Sequence, residues 1–342
     1  SVRYPNAVET MAWIPWILLF AIRVAENTAR DPMEQRRRTN DALKLALVTA
    51  LSWLAGYGQL TYIAALLVVI VTLSVARSVR GVFLAAASAA AGSLLAAGTL
   101  VPTAWMASLA PHRSGDNFAF AIQYPRLGSY LSMFSHPFAE DVHASLYFPP
   151  VFLGLIALGL YAAWKRPDRR LSAGLLLAAL VIMDLARGAE GWLCRAAYDH
   201  LPMYKAFRVQ GRNNWIALLA LCWFAGLGAD RLLAGNARVK RIGIFALVLA
   251  AAVIALHHLA IPPHLREGIT PAATSEMSSS LMSYSFWMLL AGTTMPLLAA
   301  LLPRTRAALP AAMIALIWSL VFFYGRYSTW YRPPPSCEVH PS

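Results

Sequence analysis

An all-α, polytopic transmembrane bundle of about ten helices is the fold class the sequence predicts. Three observations predict it. Ten apolar runs are spread along the 342 residues, and most approach the roughly 20 residues a bilayer-crossing helix needs. Lys and Arg crowd every second connection between runs. The chain is 58% hydrophobic and only 13% charged, whereas a soluble domain carries about 25% charged residues.

Taken in order, the runs are 7–24, 43–57, 60–76, 82–109, 148–164, 171–185, 215–233, 242–261, 286–302 and 308–324. The basic connections hold Arg30 with Arg36, Arg37 and Arg38; Arg77 with Arg80; Lys165, Arg166, Arg169 and Arg170; Arg231, Arg238, Lys240 and Arg241; and Arg304 with Arg306. Apart from the short one at 58–59, the intervening connections are longer and poorer in positive charge per residue. Such alternation is the positive-inside pattern, and it puts both ends of the chain on the non-cytoplasmic side. Residues 1–327 then form one helical membrane domain, and 328–342, with Pro333, Pro334 and Pro335, form an extracytoplasmic tail. The net charge of +13 sits mainly in the turns predicted to be cytoplasmic, where it orients helices and meets anionic membrane lipid rather than nucleic acid.

The chain starts at Ser1 with an apolar run close behind it, and lacks the charged region and small-residue cleavage site of a signal peptide. This reads as the middle or C-terminal part of a longer protein. Cys194 and Cys337 fall where a disulfide is chemically permitted, but their separation says nothing about pairing. Cys222, mid-helix, reads as a small buried apolar residue. There is no CxxC, HExxH, Walker loop or dinucleotide fingerprint. No cofactor is evident, and no nucleotide-driven motor.

Runs two and three are joined by Gly56-Tyr57-Gly58-Gln59, a tight helical hairpin at the outer interface in which the glycines supply backbone freedom. Trp13, Trp16, Trp53, Trp105, Trp192 and Trp330 near outer ends of runs read as an interfacial aromatic belt.

Three long outer loops hold the candidate chemistry. In 110–147, Leu127, Tyr130, Leu131 and Phe134 fall at i, i+3, i+4, i+7, one apolar face of a short helix lying along the membrane surface. The same loop carries Arg113, Asp116, Glu140, Asp141, His136 and His143. The last four suggest an acid/base or metal cluster without a recognised ligand spacing, so a divalent metal stays open beside the commoner account of solvated loop charge. The loop 186–214 carries Glu190, Arg195, Asp199, His200, Arg208 and Arg212. Arg208 and Arg212, four apart, can share a helical face where the seventh run enters the bilayer. Guanidinium groups there suit lipid phosphate oxygens; snorkelling to ordinary headgroups, or pairing with Asp199 and Glu190, is the competing account. Arg113 takes the same phosphate-binding expectation. Asp184 and Arg187 read as a self-neutralising i,i+3 pair. The loop 262–285, rich in Ser, Thr and Pro, reads as a solvated connector.

Several segments, in order along nearly the whole chain, resemble the YfhO-type bacterial membrane proteins. They are Met11-Ala12-Trp13-Ile14-Pro15-Trp16, Leu54-Ala55-Gly56-Tyr57-Gly58-Gln59, Leu100-Val101-Pro102 leading to Arg113, Leu201-Pro202 leading to Phe207-Arg208 and Arg212, and Ala225-Gly226-Leu227-Gly228. The chain departs from that pattern at Gln210, where the family tends to have Pro, and at Tyr57-Gly58, where it tends to have His-Pro.

The resemblance implies a GT-C-like bundle in a bacterial plasma membrane. It also implies a glycosyltransferase that moves a sugar from a polyprenyl-phosphate carrier to an envelope, cell-wall or lipid acceptor outside the cytoplasm. Such chemistry needs an acid for the acceptor hydroxyl and cations for the departing lipid phosphate. In that fold the acid comes from the first outer loop, which would precede Ser1, so Arg113, Arg208 and Arg212 are the phosphate-holding candidates. Asp116, Glu140 and Asp141 are the acids on hand. The rival readings are a transporter or flippase for lipid-linked saccharides, and a non-catalytic scaffold for envelope synthesis. Mostly unbroken spans with few mid-span charges and no internal repeat speak against transport.

Overall fold

The computed structural model describes residues 5–27, 31–109, 151–166, 169–188, 191–207 and 210–234. These residues are helical, with no strand among them. The helices are α1 (Pro5–Glu26), α2 (Pro32–Leu54), α3 (Gly58–Val75), α4 (Val79–Leu95), α5 (Ala97–Leu109), α6 (Val151–Trp164), α7 (Arg169–Ala186), α8 (Trp192–His200) and α9 (Asn214–Leu233), with 3-10 turns at Tyr204–Ala206 and Gln210–Asn213.

Local chemistry starts the helices where the sequence permits. Asp31 caps α2, its Oδ1 accepting the Glu34 N–H at 2.7 Å, with Pro32 in the first position. Ser78 caps α4 through the Gly81 N–H at 3.1 Å. Between α2 and α3 the chain reverses over three residues, with Gly56 at φ +87°, a left-handed conformation that side chains other than glycine adopt at a cost. The expected hairpin turn is therefore present. Its legs, however, diverge: α2 packs on α1 and α4, and α3 packs on α1 and α7.

α1 is the shared element. Ala7, Thr10, Ile14, Ile17, Ala21 and Val24 are all buried, at alternating spacings of three and four that give one continuous seam. On one side the seam meets α3, and through it joins the core that α3 shares with α6, α7 and α9 around Ile63, Leu67, Ile182 and Ile216. On the other it meets α2 and α4 around Leu45, Val48 and Ala85. The opposite helix faces are apolar too: Leu43, Leu47, Leu73, Phe83 and Leu180 are all more than half exposed. Helices that are apolar on both faces belong in a hydrocarbon environment.

α1 and α3 are each long and apolar enough to cross a membrane, and α4 with α5 make a third if that bent pair is counted as one span. A ten-helix bundle is thus seen only in part. α6, α7 and α9 coincide with expected runs, while 242–261, 286–302 and 308–324 lie outside the described residues. α2 starts at Pro32, well before the expected run of 43–57, so Arg36, Arg37 and Arg38 lie in the helix and not in a connection. The connections after α1, α3 and α6 gather at one end of the bundle. The Arg77 N–H reaches the Ala25 carbonyl at 3.4 Å, and Gly174 of α7 abuts Ser74 and Val71. Three of the expected basic connections are thus brought to one end; the one holding Arg238, Lys240 and Arg241 and the one holding Arg304 with Arg306 lie outside the described residues.

Two further expectations need correction. The run 82–109 is not one unbroken span. It breaks at Ala96, and α4 and α5 meet at 72°. Twenty-eight helical residues would extend about 42 Å, well beyond a hydrocarbon core of about 30 Å. Ala96 makes the corner by ending one helix and starting the next: its N–H reaches Gly92 O at 3.3 Å, and its own carbonyl accepts the Leu100 N–H at 3.0 Å. Cys222 is exposed rather than buried. The buried face of α9 runs through Ile216, Ala217, Ala220 and Phe224, and position 222 falls on its far side.

α6 and α9 make the closest crossing. A Cβ built on Gly159 would overlap the Phe224 carbonyl oxygen, and one on Gly228 would overlap that of Leu155. Small residues at such crossings let backbones touch, which is how helices gain packing energy in a solvent as apolar as themselves.

Candidate functional site

At the end of the bundle opposite the basic connections, the turn before α3 meets the segment between α7 and α9. Polar side chains line that junction and are drawn inside. Gln59 is on the first turn of α3, and Gln210 and Asn213 are in the 3-10 turn that leads into α9. Gln59 Nε2 donates to Asn213 Oδ1 at 2.9 Å, Asn213 Nδ2 donates to Gln210 Oε1 at 2.8 Å, and Gln210 Nε2 donates to the Phe207 carbonyl at 3.1 Å. Asn213 and Gln210 are almost wholly buried. Amides in that setting are tolerated because each finds a partner. The chain of three bonds fixes how α9 enters the bundle.

Arg212 emerges from this base. Its Nη1 donates to the Tyr57 hydroxyl at 2.5 Å, and its guanidinium carbon is 5.8 Å from the centroid of the Tyr57 ring. The cation is thereby held at the hairpin turn, part-buried, with a planar donor fork of the kind that engages phosphate. The competing account, in which Arg212 pairs with Asp199, does not hold. Asp199 Oδ2 instead takes Arg195 Nε at 2.9 Å along α8. Nor is the setting an α-helical face, because Arg212 sits in the 3-10 turn and α9 starts only at Asn214.

The loop that carries this turn has its own supports. Asp184, at the end of α7, accepts the Leu193 N–H at 2.7 Å and so caps α8 from outside that helix. Its other oxygen meets Arg187 Nη1 at 3.4 Å, so the expected i,i+3 pair exists but is the longer contact. Tyr62 donates to the Pro202 carbonyl at 2.8 Å, and its ring lies 5.0 Å from that of Phe207.

Leu201-Pro202-Met203-Tyr204 is a type II turn. The Tyr204 N–H reaches Leu201 O at 3.3 Å, and Met203 has φ 64°, a position that favours glycine. Met203→Gly is expected to raise stability by about 0.5–1 kcal/mol, the left-handed cost relieved less glycine's added entropy. Thermal melting of the purified chain measures it, and an unchanged or lowered Tm would mean the turn is not strained.

That turn drives the Tyr204 ring fully inside, its hydroxyl beside the Cys194 thiol and Asn213 without good hydrogen-bond geometry to either. Burial pushes the phenol well above its usual 10.0, and the neighbouring Cys194 adds to the shift. Burial likewise pushes the Cys194 thiol up, with the Tyr204 contact offsetting part of it and the Asp184 charge adding to it. In the alkaline range the folded state keeps a proton that the unfolded chain sheds. Stability from Tyr204 is therefore complete below about pH 10 and falls above it, by up to about 1.4 kcal/mol per pH unit. Tyr204→Phe is expected to flatten that alkaline loss. Urea unfolding at pH 9 and pH 11 measures it, and equal slopes in both proteins would refute the assignment.

Of the expected site residues, the structure describes Arg212 alone. Arg113, Asp116, Glu140, Asp141 and Arg208 lie outside the described residues, as do the expected surface helix of 127–134, Glu190, Cys337 and the tail. Among the described residues no group of three or more His, Cys, Asp or Glu side chains could hold a metal ion. Tyr57, Gln59, Gln210 and Asn213 do not stand out as site residues from the sequence. No motif or charge pattern marks them in the sequence; the fold brings them together around Arg212. No family model, curated protein or solved structure matches the chain.

Proposed function

We propose that the chain is a membrane glycosyltransferase of a bacterial plasma membrane, moving a sugar from a polyprenyl-phosphate carrier to an envelope or lipid acceptor on the extracytoplasmic side. The observation that carries this reading is Arg212, part-buried at a helix end and held by the Tyr57 hydroxyl at 2.5 Å. A cation fixed there, at the bundle end away from the basic connections, is suited to the charge that a lipid phosphate gains as the sugar leaves. Under positive-inside orientation that end is extracytoplasmic. The resemblance to YfhO-type proteins supplies the GT-C-like architecture and the reaction class. Arg113 and Arg208 would complete the phosphate grip, and the ten-span count belongs to the same proposal.

The transporter or flippase reading keeps one specific observation in its favour, the 72° break between α4 and α5, since discontinuous helices line many transport sites. The length of α4 weighs against it. Seventeen residues span about 26 Å, so the break falls near a membrane surface rather than mid-bilayer. The full-length protein in vesicles, supplied with a radiolabelled polyprenyl-phosphate sugar, separates the two readings. Label moved to an acceptor supports transfer. Label that changes leaflet while still bound to its carrier supports translocation.

A further inference from the structure

The arginine-rich end of the bundle hides one of its arginines. Arg36 and Arg37 are exposed, whereas Arg38 is 5% exposed. It lies one turn before Ala42 on the face of α2 that α1 and α4 cover. The register of the neighbours follows from close contacts. Gly92 of α4 rests on Ala46 and Thr49 of α2, and Gly81 rests on the Ala25 backbone at the end of α1. Moving two turns down both helices from Gly92 brings the first turns of α4 level with Arg38.

Two nitrogens of Arg38, Nε and Nη2, are buried and have no hydrogen-bond partner. These two carry the parallel N–H bonds along one edge of the guanidinium, the edge that matches two oxygens of a phosphate. A cation buried without an acceptor is strongly disfavoured, so something must supply those oxygens. The nearby acids do not. Asp31 is engaged in capping α2, and Glu34 and Asp41, one turn to either side, leave both nitrogens without an acceptor. Arg23, Arg77 and Arg80 at the same end raise the local positive potential.

We propose that the Nε/Nη2 edge of Arg38 is a binding site for a phosphate group at the junction of α1, α2 and α4. The group comes either from the phosphodiester of an anionic phospholipid or from soluble phosphate. The lipid source rests on reading the helices as membrane-spanning; the soluble source does not. The long aliphatic stem of arginine lets the head reach the interface where lipid phosphates lie.

The test uses the full chain in neutral detergent, as wild type, Arg38→Gln, Arg38→Lys and the exposed control Arg36→Gln. Phosphatidylglycerol, phosphatidylcholine and inorganic phosphate are titrated separately, with thermal shift and lipid retention by native mass spectrometry as readouts. A lipid site gives wild type about a tenfold preference for phosphatidylglycerol over phosphatidylcholine, with no response to inorganic phosphate. A soluble-phosphate site gives a thermal shift with inorganic phosphate and no such preference between lipids. In either case Arg38→Gln abolishes the response, Arg36→Gln keeps it, and Arg38→Lys, which has charge but no fork, weakens it. A wild type that responds to neither phosphate nor headgroup charge overturns the proposal, and so does a full response in Arg38→Gln. Where Arg38→Gln does not fold, Arg38→Lys decides: an undiminished response rejects the fork.

Discussion

Leucine at Gly159 is expected to destabilise the chain by about 3 kcal/mol or more, the upper end of overpacking penalties. The side chain would have to occupy the position of the Phe224 carbonyl oxygen, and a backbone atom cannot swing aside as a rotamer can. α6 and α9 must then part, and they are the most extensively packed helix pair among the described residues. Gly228→Leu meets the Leu155 carbonyl in the same way. A methyl group added at Gly226, two residues earlier, would meet nothing within 4 Å, so Gly226→Ala gains helix propensity of up to about 1 kcal/mol without a clash. The three variants thus separate close approach from mere glycine content. In thermal melts of a 342-residue chain, about 3 kcal/mol corresponds to a fall of about 4 °C. A Tm for Gly159→Leu equal to that of wild type would show that the two helices part without cost.

Under the proposed glycosyl transfer, Arg212→Ala is expected to lower sugar transfer about a hundredfold, the usual loss when one preorganised charge stabiliser is removed. Tyr57→Phe keeps the ring beneath the guanidinium and deletes the hydroxyl that Nη1 donates to. Its expected effect is smaller, about tenfold, and concentrated in kcat/KM, since the charge remains but is no longer held in place. Arg212→Lys keeps charge without the planar fork and should fall between the two. Each variant is read beside a melt, because Arg212 adjoins Asn213, whose bonds to Gln59 and Gln210 position α9. Loss of activity with an unchanged Tm assigns the residue to the reaction. Full transfer activity in Arg212→Ala would remove the phosphate-holding role.

Helix existence was legible from the apolar runs, and Gly56-Tyr57-Gly58-Gln59 marked the reversal between α2 and α3. Where α2 starts was not legible: its apolar run begins at 43, but the helix begins at Pro32 behind the Asp31 cap, with polar first turns that hydropathy does not count. The packing of those helices was not legible, because partner choice depends on side-chain shape. The hairpin glycines announce a turn, yet only the seam on α1 and the contact of Gly174 with Ser74 explain why α2 and α3 part company. The break at Ala96 was hidden for a related reason. Hydropathy counts apolar residues and is blind to a corner made without charge or proline at the joint. At the candidate site, Arg212 stood out because a cation at that depth is unusual. Its support did not stand out: Gln59, Gln210 and Asn213 are ordinary polar residues until the fold joins Gln59 to Asn213, 154 residues apart in sequence, in one hydrogen-bonded string.

The divergence of α2 from α3 also bears on how the chain is put together. α3 finds α1 already made, but its other main partner, α7, begins at Arg169, about a hundred residues after α3 ends, or roughly 5–20 s of synthesis. Through that interval Gln59, whose amide is later satisfied by Asn213, must wait within an apolar helix. A half-built protein therefore presents a polar group that later chain will conceal.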